Sequence, residues 1–196
     1  MNNLFSQSEF LLKRQGLAIG GKYKLFGSEG KEPLLFIEEK TKWLASSTTI
    51  HAFADEKKTR EILTLKDRPS GSAEDMDVYD AESGQKIGSL VMDAKSVSEI
   101  FKDVWEMRGA DDKPIGRIFE KHLSKSLARE LISHSLPVKL DVAIGDVEVA
   151  EFRQKFKAVG YELEIDLTKD VSGLFDHRLA IAAGIMIAVI QGRETN

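Results

Sequence analysis

The stretch LAIAAGIMIAVI, Leu179 to Ile190, carries twelve consecutive residues with no polar side chain. Arg178 bounds it on one side and Gln191-Gly192-Arg193 on the other. No other segment of the chain is apolar on every face, so its placement decides the architecture. A helix rises about 1.5 Å per residue, so residues 179–192 cover roughly 21 Å, against a hydrocarbon core of about 30 Å. The segment is too short for a membrane span. Its alanines and glycine, and its length beyond the usual strand of about 4–8 residues, speak against a strand. A surface helix needs a polar stripe, and this one has none. The reading that follows is a helix enclosed by protein. A tail anchor and a partner-binding helix are the alternatives. The enclosed side chains are Leu179, Ile181, Ile185, Met186, Ile187, Val189 and Ile190. Their burial is worth about 1.5–3 kcal/mol each, roughly 10–20 kcal/mol together as an upper bound.

Working outward, the rest of the chain reads as short strands separated by turns. Candidate strands are 5–15, 22–27, 34–40, 42–54, 60–67, 76–80, 86–91, 100–108, 113–120, 138–144, 147–156 and 161–167. Alternation is clearest late. Tyr161, Leu163, Ile165 and Leu167 share one face, while Glu162, Glu164 and Asp166 share the other. One face is dry and the other wet. Two hairpins resemble each other, Asp80–Leu90 and Arg108–Ile118, and each places Ile-Gly just inside the return strand, at Gly88 and Gly116. A glycine there marks a bulge or a close approach of backbone; the object approached is expected to be the inner helix, and the alternative is two unrelated hairpins with common turn residues. A second, amphipathic helix is expected at 124–134, from the spacing of Leu123, Leu127 and Leu131.

About twelve strands need their edges managed, and closure into a barrel does this. Barrels of about eleven strands have room for a central helix, whose diameter is about 10–12 Å. The expected fold is therefore mainly β: one domain over 1–196, a closed antiparallel barrel of about twelve strands around a hydrophobic C-terminal helix at about 176–191.

Composition narrows the function classes. The chain has 196 residues, 42% hydrophobic, with net charge −4 and no cysteine. Acidic and basic residues are interspersed, so nothing points to nucleic acid. The absence of cysteine removes disulfides, thiol catalysis and Cys-ligated metal. The N-terminus MNNLFSQSEF has no secretory pattern, and the protein reads as cytoplasmic. The four histidines are scattered, and there is no HExxH, GxSxG or phosphate-cradling glycine loop. No motif calls for a cofactor. The expectation is a non-enzymatic protein.

The segments DVYDAESGQKIGSL (77–90), VWEMRGADDKPIGRI (104–118), AEFRQKFKAVGYELEIDL (150–167) and DHRLAIAAGIMIAVIQGR (176–193) resemble the tubby C-terminal-like superfamily. The closer resemblance is to its phospholipid scramblase and LURP-one-related branch, over residues 5–193. It implies a twelve-stranded barrel around the C-terminal helix. It also implies a role near membrane lipid, with phosphoinositide binding or lipid scrambling among its members' properties. By this resemblance the protein is a binding or scaffold protein, peripheral to the membrane and contacting anionic lipid. A protein-interaction module without lipid binding and a membrane-tethered scramblase-like protein are the alternatives.

A phosphoinositide site needs clustered Lys and Arg. The candidates are Arg153, Lys155 and Lys157 on one strand, and Lys121, Lys125 and Arg129 about the expected second helix. A turn near 158–159 sets Lys155 opposite Glu162 and Arg153 opposite Glu164, which neutralises the first group. The scramblase branch carries an acidic, calcium-associated segment before its inner helix. The matching residues are Asp166, Asp170 and Asp176, whose spacing departs from that pattern. A calcium site needs about 6–8 converging oxygens. The alternative for Asp176 is a favourable negative charge at the helix N-terminus.

Overall fold

The computed structural model describes residues 3–16, 21–42, 47–69, 75–92, 101–121, 139–155 and 160–194. Twelve strands form one closed antiparallel barrel. They are β1 (Glu9–Arg14), β2 (Lys22–Gly27), β3 (Pro33–Lys42), β4 (Ser47–Phe53), β5 (Glu61–Asp67), β6 (Met76–Asp80), β7 (Lys86–Met92), β8 (Phe101–Gly109), β9 (Pro114–Lys121), β10 (Lys139–Ile144), β11 (Val147–Lys155) and β12 (Glu162–Asp166). Each pairs with its neighbours in sequence, and β1 closes the ring against β12, with Glu9 opposite Asp166 and Lys13 opposite Glu162. Closure satisfies every sheet edge, as the strand count requires.

The C-terminal helix α1 (His177–Glu194) runs through the barrel. It packs against β1 and β12 on one wall and against β5 and β7 on the opposite wall. Contact with both walls is possible only from inside. Leu179–Ala183 and Ile185–Val189 are buried all round. The small side chains let strands come close: a Cβ at Gly184 would stand 2.3 Å from Ile165 Cδ1 on β12. At the far end the Tyr23 hydroxyl of β2 donates to the Ala188 carbonyl at 3.2 Å. That bond joins sheet to helix where α1 offers only backbone.

The paired Ile-Gly hairpins sit at register shifts. β6–β7 slips between Val78 and Tyr79, and β8–β9 between Met107 and Arg108. Gly88 faces the inner helix, because a Cβ there would meet Leu179 at 3.1 Å and the Arg108 carbonyl oxygen at 2.4 Å. At Gly116 a Cβ would meet the Ala143 carbonyl oxygen at 2.2 Å and the Ile144 and Met107 side chains at 2.9 Å. The two hairpins share a turn pattern and a tightest approach to a neighbouring strand's carbonyl oxygen, and they differ in the inner-helix contact made at Gly88.

Two expected strands change. Residues Asn3–Ser6 form a 3-10 turn, and β1 starts at Glu9. The reason is that β12 ends at Asp166, so no strand remains for residues before Glu9 to pair with. Leu4 turns inward to join the core instead, with Phe5 packed against it. The span expected as 42–54 divides: Lys42 ends β3, and β4 starts at Ser47. The amphipathic helix expected at 124–134 lies outside the described residues.

Candidate functional site

The basic residues singled out on β11 stand on the outer face. The hairpin register is the expected one: Arg153 opposite Glu164 and Lys155 opposite Glu162. The ion pairs are set differently. Lys155 Nζ lies 2.5 Å from Glu164 Oε1, on the diagonal, while Glu162 takes Lys13 of β1 at 3.8 Å. Arg153 lies 4.0 Å from Glu164 and also pairs with Glu151 on its own strand. The two cations are thus held by carboxylates. Lys157, Lys125 and Arg129 lie outside the described residues, as does the side chain of Lys121.

Glu151 is the hub of this face. Lys139 Nζ approaches it at 2.7 Å and Lys169 Nζ at 3.3 Å, beside Arg153. Burial pushes its carboxyl group up, but the hydrogen bonds from Lys139, Arg153 and Lys169 outweigh that and hold it at about 2. Lys169 also reaches Glu148 at 2.5 Å, so the segment after β12 is tied to β11.

The acidic residues before α1 do not converge. Asp166 Oδ1 accepts from the Thr168 backbone N–H at 2.8 Å and its hydroxyl at 2.6 Å. Asp170 accepts from the backbone N–H groups of Leu174 and Phe175, both at 2.8 Å. Asp176 caps α1, accepting from the Arg178 N–H at 2.9 Å and pairing with its guanidinium at 2.6 Å. Each carboxylate shapes its own turn, and the three do not fit a calcium site. Among the described residues, the carboxylates that do meet are Asp141, Glu148 and Glu151, within 4.8 Å of one another. The sequence reading missed this group. A simple turn at Gly145-Asp146 sets Asp141 opposite Ala150. A bulge at Val142/Ala143 moves it opposite Glu151.

A second hub lies on the outer face of β5–β7. Asp112, in the turn after β8, has φ 61° and pairs with Lys86 at 2.8 Å and Arg68 at 2.9 Å. These cations hold its carboxyl well below the usual range. Both also reach Asp77, at 3.0 Å and 3.2 Å. Four alternating charges clamp the β8–β9 turn onto the sheet. Of the histidines, His51 Nδ1 is 2.6 Å from Glu61 and its ring stacks on Phe53, while His177 lies in the first turn of α1. His122 and His134 are outside the described residues.

Among the described residues, the exposed large aliphatic side chains stand at one end of the barrel. β2–β3, β4–β5, β6–β7, β8–β9 and β10–β11 all turn at the end where α1 begins. There Val171 is 95% exposed, Leu174 53%, Val147 50% and Ile115 36%. The loop that carries Val171 and Leu174 is held by the Asp170 carboxylate while Phe175 is drawn into the core. Gly145 N–H donates to the Ile115 carbonyl at 3.1 Å, joining the two neighbouring turns. Comparison of the chain with protein-family models, curated proteins and solved structures finds no match in any of the three.

Proposed function

We propose that this is a non-catalytic binding protein of tubby and LURP-one type, and that its partner is a lipid surface met by the barrel end where α1 begins. The observation that carries this reading is the exposure of Val171, Leu174, Val147 and Ile115 at that one end. Single exposed aliphatics are ordinary on any protein, but a group at one end marks a contact site. Aliphatic side chains at a lipid interface recover hydrophobic free energy that they forgo in water. The loop is shaped in advance by Asp170, so little ordering cost is added on contact. The barrel interior is filled by α1, which supports an outside surface as the working one.

Co-sedimentation with vesicles of phosphatidylcholine and anionic lipid, at low and physiological salt, tests this. The wild type should pellet with vesicles, and the Val171→Asp/Leu174→Asp variant should stay in the supernatant with an unchanged thermal midpoint. Absence of wild-type binding at both salt concentrations removes the lipid reading.

The second reading is a protein-interaction module. It is favoured by Asp146 and Asp170 at the same end, whose charge has the sign of an anionic membrane. A partner with an apolar, basic face suits that end, and a stoichiometric protein partner captured without lipid would support it. The scramblase-like reading requires α1 to leave the barrel. Among the described residues no helix is long and apolar enough to cross a membrane, and withdrawal would forfeit roughly 10–20 kcal/mol of burial.

A further inference from the structure

The outer face of β2–β4 carries aromatic side chains where a barrel exterior is ordinarily polar. Phe36 on β3 and Phe53 on β4 are register partners and both point outward. Phe53 is buried yet stands apart from the barrel core, braced by His51 at a ring separation of 5.9 Å. Between Phe36, Phe53 and β2 lies a depression of about 160 Å³. Its rim carries Lys22, Lys24 and Lys58, with Glu38 and Glu56.

The rim has a charge sense. Glu38 is held by Lys58 and lies opposite Lys22 in register. Lys24 Nζ sits 5.1 Å from the centre of the Phe36 ring and 3.6 Å from Glu56. Glu56 is mostly exposed, and an ion pair of that kind is worth at most about 1 kcal/mol, so a competing anion displaces it readily. Lys22 and Lys24 project from the same face of β2, two residues apart, and both line the depression. A cavity of about 150 Å³ takes one benzene-sized ring.

We propose that this depression is a binding site for a single-ring aromatic anion. The ring lies against Phe36 and Phe53, and the carboxylate meets Lys22 and Lys24. The site reaches the β4–β5 turn through Glu56 and Lys58, but none of the four aliphatics assigned above to lipid lines it, and it stands independently of that reading. Aromatic contact supplies the ring preference, and the two ammonium groups supply the charge preference.

Titration of the full chain with sodium benzoate, followed by amide chemical shifts, tests this. Benzoate should move the amides of Lys22, Lys24, Phe36, Glu38 and Phe53 along saturating curves. Acetate, which lacks the ring, and benzylamine, which reverses the charge, should move them far less. Lys24→Met should weaken benzoate binding about tenfold, the weight of one charge-assisted hydrogen bond. Lys22→Met, at an exposed position, serves as the second variant if Lys24→Met perturbs the fold. Absence of saturable shifts, equal response to acetate or benzylamine, or unchanged affinity in a folded lysine variant would overturn the proposal.

Discussion

Ile165 on β12 occupies the notch left by Gly184 on α1: a Cβ at position 184 would stand 2.3 Å from Ile165 Cδ1 and 2.9 Å from its Cγ1. Alanine is the better helix former by about 1 kcal/mol, so an unobstructed Gly184→Ala would stabilise. Here the overlap costs about 1–3 kcal/mol and reverses the sign. Ile165→Val removes the offending methyl and alone costs about 0.5–1.5 kcal/mol. The double variant should be more stable than the sum of the two single changes predicts. Urea denaturation of all four proteins measures this, and strict additivity would show that the two residues do not touch.

Ala183 is buried in the middle of α1 with apolar neighbours. Ala183→Asp places a carboxylate there with no partner, which costs several kcal/mol. That is a large part of a typical net stability of about 5–15 kcal/mol. The variant should fail to fold, and deletion of 179–196 should leave insoluble protein. A soluble variant with a thermal midpoint within a few degrees of wild type would place Ala183 outside the barrel.

Tyr23→Phe keeps the ring and removes the donor to Ala188. Loss of one buried hydrogen bond costs about 0.5–1.5 kcal/mol. For a chain of this size that is a fall of roughly 1–6 °C in thermal midpoint. No change in the midpoint would mean that the hydroxyl does not secure the helix end.

Glu151 gives a stability difference that depends on pH. Its carboxyl group is held at about 2, below the ordinary 4.5. A group depressed on folding stabilises fully above its unfolded value and loses that contribution as pH falls toward the folded one. The gap between wild type and Glu151→Gln should therefore be widest near neutral pH and shrink from about 4.5 down to about 2. Denaturation at a series of pH values reads it directly, and a gap that is constant over that range would dismiss the ionic role.

The outer faces were legible where pairing is local. The β11–β12 register is the one read from the sequence, and Arg153 meets Glu164 as that register requires. The partner of Lys155 was not legible, because Glu162 is taken by Lys13 from the other end of the chain. The same holds for Glu151, whose meeting with Asp141 depends on one bulge in β10–β11. The carboxylates before α1 looked like a ligand set in one dimension. In three dimensions each is consumed by a turn within five residues of itself.

From the residues alone came the strands, the closure they demand and the helix with no wet side, since alternation and uniform apolarity are properties of adjacent positions. Folding then chose which charges meet, which glycine faces the inner helix and which side chains stand at the barrel's end. Those outcomes turn on register shifts and on contacts between residues far apart in the chain, where a slip of one position exchanges every neighbour.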